Sequence, residues 1–184
     1  MNNQRKIIAV IGLPGSGKTE VIDHLIKMYG WPKVYFGAVT FDEMEKRGLE
    51  VNEANERLVR EGLREEFGLL VYAERVIEKI NALDGDGPVL VESLYSWEEY
   101  LRFKEEFGDV FMTVAVHASP EIRYARLANR PKRPLTAEEA RGRDYAQIEN
   151  LHQAGPIAMA DIVIVNEGTL EDLIRSIDEV VRNV

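Results

Sequence analysis

Eight consecutive residues carry the chemistry most plainly. Gly12-Leu13-Pro14-Gly15-Ser16-Gly17-Lys18-Thr19 follows the spacing G-x-x-x-x-G-K-[ST] at every fixed position. An apolar run, Ile7 to Ile11, precedes it, and a helical pattern follows from about Lys18 to Tyr29. Gly12, Gly15 and Gly17 let the backbone turn tightly and point N–H groups at phosphate oxygens. Pro14 and Ser16 complete that cradle, and the helix N-terminus adds partial positive charge. Lys18 is placed to reach the β- and γ-phosphates, and the Thr19 hydroxyl to ligate Mg²⁺. The bland alternative, a chance glycine turn before a helix, does not account for motif, strand and helix agreeing. ATP with Mg²⁺ is therefore the expected ligand, although the motif leaves the reaction open.

Two further groups belong to the same chemistry. Glu92 ends a short apolar run, Val89 to Val91, where a strand-end carboxylate can hold Mg²⁺ through water. Its alternative is a solvent-facing or capping acid. Arg123, Arg126, Arg130, Lys132, Arg133, Arg141 and Arg143 cluster in an otherwise acidic chain. Arg123, Arg126 and Arg130 share one helical face by spacing, and Pro131 and Pro134 make a loop of about 130–136. Arginines on a closing lid would stabilise a transferring phosphoryl group and exclude water. The competing reading is a solvated helix paired with Glu121, Glu138 and Glu139.

These residues need a scaffold, and the chain supplies one. Apolar strand runs at Ile7–Ile11, Pro32–Phe36, Val89–Val91, Phe111–Val116 and Ile162–Val165 alternate with helical patterns. That alternation predicts a three-layer α/β/α domain with a mostly parallel five-stranded sheet. Helical pattern over Phe41 to Leu83, broken near Gly48 and softened near Gly68, predicts a helical insertion, about 37–83, which the resemblance given below puts on the acceptor side. Thr40 with Glu43, Ser96 with Glu99, Thr136 with Glu139 and Thr169 with Asp172 fit capping boxes. One domain over 1–184 suits the length.

Composition narrows the function classes. Lys and Arg number 23 against 32 Asp and Glu, a net charge of -9 that argues against an extended nucleic-acid surface. There is no cysteine, which excludes disulfides, zinc–thiolate sites and a cysteine nucleophile. No apolar run reaches the ~20 residues needed to span a bilayer. A cytoplasmic protein without membrane partners is expected. The oligomeric state is open, a homo-oligomer included. His24, His117 and His152 show no metal-ligand spacing, and His24 reads as structural.

With those residues in place, the chain resembles the nucleoside-monophosphate-kinase-like group of P-loop kinases. The nearest likeness is to dephospho-CoA kinase and to archaeal-type nucleotide-kinase-like proteins. Arg126-Leu127, Arg130, Thr136-Ala137-Glu138-Glu139-Ala140, Arg143 and Gln147 look like the lid and post-lid helix of that family. Ala160 to Gly168 looks like its last strand and adenine-side loop. The resemblance implies that Asn166 and Gly168 lie near the adenine, and Arg126, Arg130 and Arg143 near phosphates. It also underlies the preference for ATP over GTP, together with the absence of an N-K-x-D motif.

The departures fall on the acceptor side. Ala38 and Phe41 stand where that group places an acid and an arginine, and Glu92-Ser93-Leu94-Tyr95 replaces Asp-Gly-x-Arg. Asp42 is the candidate displaced carboxylate for taking a proton from a hydroxyl acceptor. Tyr35, Phe36, Phe41, Tyr95 and Trp97 flank the expected cleft, either as acceptor wall or as core. Arg57, Arg60 and Arg64 are placed to contact an anionic acceptor, but they interleave with Glu53, Glu56, Glu61 and Glu65, which favours a solvated, salt-bridged face. The expected activity is an ATP-dependent small-molecule kinase acting on a nucleotide-like or hydroxyl acceptor. The alternative is a regulatory nucleotide-binding switch without efficient transfer.

Overall fold

The computed structural model describes residues 5–131 and 134–182. Its centre is the continuous apolar run Ile7–Ile11, strand β1, whose five residues are all buried. A strand apolar on both faces needs a layer on each side. The sheet has the order β2-β3-β1-β4-β5, with β2 at Lys33–Tyr35, β3 at Val89–Glu92, β4 at Phe111–His117 and β5 at Ile162–Val165. Every strand pair is parallel, so the sheet is wholly rather than mostly parallel.

Alternation along β1 divides the interior in two. Ile7, Ala9 and Ile11 enter the larger core, with Phe36, Val76, Leu94 and Phe103. Ile8 and Val10 enter the smaller one, with Val21, Leu25, Leu173 and Ile177. The smaller core is closed by α1 (Lys18–Tyr29) and α9 (Leu170–Val181). The larger is closed mainly by α2 (Ala38–Lys46), α3 (Glu53–Phe67), α4 (Val71–Asn81) and α5 (Trp97–Phe107). Helices α6 (Pro120–Asn129), α7 (Ala137–Leu151) and α8 (Ala154–Ala158) lie between β4 and β5. The short α8, which packs Ile157 on the larger core, has no counterpart in the sequence expectations.

The long helical pattern resolves into α2, α3 and α4. Gly48 (φ +65°) follows the end of α2, and Gly68 (φ +86°) ends α3, both in backbone that favours glycine. Ser96, Thr136 and Thr169 form capping boxes as expected. Thr40 does not: it lies inside α2, and its hydroxyl pairs with the Tyr72 hydroxyl at 2.8 Å. Among the described residues, no helix is long and apolar enough to cross a membrane.

Candidate functional site

The carboxyl ends of the parallel strands converge on the loop between β1 and α1. Gly12, Gly15 and Gly17 all have positive φ, at +143°, +78° and +103°. A Cβ on Gly12 would strike the Val116 carbonyl, one on Gly15 would lie 2.7 Å from the Arg123 carbonyl, and one on Gly17 would strike the Asn166 amide. The glycines thus serve the loop's packing against β4, α6 and the end of β5, as well as the turn itself. Gly17 caps α1 without a side-chain acceptor, which leaves the first N–H groups of the helix open to an anion. The Ser16 hydroxyl is buried and has no partner among the described residues.

Lys18 folds back over this loop. Its Nζ donates to the carbonyls of Gly12 at 2.7 Å and Leu13 at 3.1 Å. Each carbonyl has a second donor: the Gln153 side-chain amide at 3.3 Å for Gly12, and the Ser16 N–H at 3.2 Å for Leu13. Burial pushes the Lys18 ammonium down to about 8, with Glu92 opposing and Arg123 and Arg143 adding to the effect. An ammonium so poorly compensated is primed to take an anionic partner.

On one side of Lys18 opens a cleft of about 570 Å³. Gly15, Gly17, Lys18, Thr19, Arg126, Arg130, Asn166, Gly168, Leu170 and Leu173 are among its lining residues. Thr19 stands exposed on the first turn of α1. Asn166, buried at the end of β5, donates to the Ser16 carbonyl at 2.7 Å and accepts from Arg126 at 3.3 Å. The second terminal nitrogen of Arg126 is buried without a partner among the described residues. Arg130 ends α6 at the cleft wall, whereas Lys132 and Arg133 lie outside the described residues.

Arg123 departs from its expected place on the phosphate-facing side. It is 3% exposed, forms a two-pronged pair with Asp144 of α7 at 2.8 and 2.6 Å, and donates to the Ala118 and Pro14 carbonyls. The Tyr124 hydroxyl also donates to Asp144, at 2.9 Å. This arginine therefore ties the loop to α7. The reason is geometric: α6 packs so closely on Gly15 that its first inward arginine lies beneath the loop.

On the other side of Lys18 are the ends of β2 and β3. Tyr35 and Glu92 are register partners there. Glu92 is an electrostatic neighbour of Lys18 and forms an ion pair with Lys33 at 2.8 Å. Ser93, next along the chain, adopts φ +71°, a strained setting that turns the chain sharply after the carboxylate. Burial raises the Tyr35 and Tyr95 phenols, and both respond to Glu92 and Arg143. Arg143 therefore belongs with this group and is absent from the walls of the large cleft. Gln147 is buried, with its amide oxygen unpartnered among the described residues.

Asp42 is not brought to the loop. It forms an ion pair with Lys79, near the end of α4 that leads down to the start of β3. One helical turn into α2 has carried its carboxylate away from the strand ends, so the acceptor-base reading is withdrawn. His24 is structural as expected, bonded to Asp178 at 2.7 Å. Gln153, Asp144 and Tyr72 carry no motif. Gln153 gave no signal at all, because its position depends on His152 ending α7 in the left-handed conformation.

Comparison with known proteins bears on the family and the fold. The family model described as an AAA domain matches residues 8–150. The UPF0200 protein of Hyperthermus butylicus is 39% identical over 170 residues, covering 91% of this chain and 89% of the relative. That of Thermococcus kodakarensis is 34% identical over 182 residues, covering 97% of each. Among solved structures, TT1252 from Thermus thermophilus superposes with a TM-score of 0.69 at 23% identity, over 98% of both chains. A gluconokinase from Sinorhizobium meliloti gives 0.62 at 16% identity, over 98% of this chain and 97% of the other. Shikimate kinase from Bacteroides thetaiotaomicron gives 0.61 at 14%, over 96% and 98%. With its P-loop kinase-like fold, the chain belongs to the AAA domain family and to the UPF0200 proteins.

Proposed function

We propose that this protein is an ATP-dependent phosphotransferase acting on a small-molecule acceptor that is nucleotide-like or carries a hydroxyl, as dephospho-CoA does. One observation carries the reading. Lys18 stands between a nucleotide-sized cleft and a second set of inward-facing groups at the ends of β2 and β3. Transfer between two bound molecules needs both halves, whereas a nucleotide switch needs only the first. The gluconokinase and shikimate kinase of the same fold support a small-molecule kinase.

In this reading the N–H groups of Gly15, Gly17 and Lys18 and the open turn of α1 hold the phosphates. Arg126 turns its unpartnered nitrogen to them, and Asn166 with Gly168 lines the base side. Thr19 and Glu92 would hold Mg²⁺, which, when bound, neutralises charge on the phosphates. Lys18 leaves its two carbonyls for the transferring group, gaining an anionic partner for a strained ammonium. Arg130 and the following segment exclude water as the lid closes. The acceptor oxygen bonds to the γ-phosphorus as the β,γ-bridging bond breaks, its electron pair leaving with ADP, and a hydroxyl acceptor gives its proton to an oxygen of the transferred phosphoryl group.

The test is ADP release from ATP and Mg²⁺, with and without acceptors including dephospho-CoA and nucleoside monophosphates. Acceptor-dependent release that vanishes in Lys18→Ala is expected. Tight ATP binding without stimulation across the panel would favour a regulatory nucleotide binder and overturn the kinase reading.

A further inference from the structure

The segment from α2 to α5 carries the arginines Arg47, Arg57, Arg60, Arg64, Arg75 and Arg102. Five of them meet a carboxylate: Arg47 and Arg75 pair with Glu43, Arg57 with Glu61, Arg60 with Glu56, and Arg102 with Glu74 and Glu106. Arg64 is the exception, with neither a hydrogen bond nor an ion pair among the described residues. It is not loose on the surface. It is half-buried, and its guanidinium lies 4.9 Å from the centroid of the Tyr72 ring. Tyr72 is itself 4% exposed and pinned by the bond of its hydroxyl to Thr40. A guanidinium held over a fixed ring face is restricted in position while its N–H donors stay available to an anion.

The surroundings place Arg64 beside the acceptor half. The nearby acid is Glu99, one oxygen of which accepts from the N–H groups of Tyr95 and Ser96 at 3.0 Å each. Burial pushes its carboxyl up, which weakens it as a counter-charge for Arg64. Tyr95 belongs to the segment that follows Glu92 across from Lys18. The notable feature is thus an arginine held over a fixed ring, without a hydrogen-bonded or ion-paired carboxylate among the described residues, on the side where two usual acceptor-arginine positions carry Phe41 and Tyr95.

We infer that Arg64 is the anchor for an oxyanion on the acceptor, so that the acceptor carries a phosphate or carboxylate group besides the atom that receives the phosphoryl group. This rests on the proposed acceptor role of the β2 and β3 ends. Stacking on Tyr72 orients the guanidinium for a two-pronged contact. The earlier expectation of a uniformly salt-bridged, solvated face on α3 holds for Arg57 and fails for Arg64.

The experiment loads the nucleotide cleft with β,γ-methylene-ATP and Mg²⁺, then titrates inorganic phosphate and, separately, malonate by calorimetry. Wild type is expected to bind one of the two, which also separates phosphate from carboxylate. Arg64→Met, which keeps an unbranched side chain over Tyr72, should weaken that binding roughly ten- to hundred-fold, the loss of a charge-assisted contact. Arg57→Met, on the exposed side of α3, should leave it unchanged. Absence of binding to either anion in the loaded wild type, or equal affinity in Arg64→Met, overturns the inference. A lowered thermal midpoint with unchanged anion affinity would assign Arg64 to packing alone and overturn it too. Arg64-dependent anion binding without acceptor-stimulated ADP release would keep the anchor and refute the phosphotransferase reading.

Discussion

Replacing Asp144 by Asn tests the link between the loop and α7. Both side chains of the Arg123–Asp144 pair are nearly inaccessible, at 3% and 5% exposure, so neither charge is screened by water. Asp144→Asn keeps the shape but removes the charge and turns an N–H₂ toward one guanidinium prong. Breaking a buried pair from one side costs roughly 3–5 kcal/mol, because the remaining charge stays buried. Arg123 keeps the Ala118 and Pro14 carbonyls as acceptors, which favours the lower end of that range, about 3 kcal/mol. For a chain of this length that is a fall in thermal midpoint of roughly 6–12 °C. Urea unfolding followed by circular dichroism reads it directly. Replacing both partners, Arg123→Met with Asp144→Leu, should be milder than Asp144→Asn alone, since no buried charge remains. A single variant within 1 kcal/mol of wild type, or a double variant worse than the single, would refute the claim that buried charge governs this contact.

Affinity for ATP should fall as pH rises through about 8, because binding requires the charged Lys18 and the free ammonium is shed there. Titration calorimetry between pH 6.5 and 9.5 checks this, and Lys18→Met should flatten the profile. Stability should show the complementary trend. The unfolded chain keeps the Lys18 proton up to 10.5 while the folded one releases it near 8, so unfolding free energy rises with pH across that window. Gly17→Ala should abolish nucleotide binding, since φ +103° and the Asn166 amide both exclude a Cβ. Pairing it with Asn166→Ala removes the clash but not the backbone strain, so thermal stability should recover only in part. Glu92→Gln should raise the Mg²⁺ concentration needed for half-maximal ATP turnover, measured by ADP release.

The sheet was legible because its signal is local. Five apolar runs separated by helical periodicity admit few arrangements, and the phosphate-loop spacing placed β1 and α1 almost to the residue. The boundaries within 37–83 were harder to read, since glycine breaks do not say how three helices pack. The site was legible where a residue's role follows from its neighbours in sequence, as for Gly12 to Thr19. It was illegible where the role depends on tertiary contact. Arg123, Arg126 and Arg130 read alike in sequence, yet packing under the loop buried the first. Asp42 and Arg64 were illegible for the same reason: Lys79 draws the acid aside, and the Tyr72 ring sets Arg64 apart from Arg57 and Arg60, which read alike in sequence.

The doubled hydrogen bonding at the Gly12 and Leu13 carbonyls bears on how quickly the loop can respond. A side chain that was the sole donor to two sheltered acceptors would face a barrier each time it left them, and would return by default. Here Gln153 and the Ser16 N–H remain in place, so departure of Lys18 strands neither oxygen. The loop can thus keep one backbone shape whether its lysine is parked or engaged, and ligand arrival becomes a side-chain rotation on a fixed frame. Removing the amide, as in Gln153→Leu, would convert that rotation into a rearrangement of the loop itself.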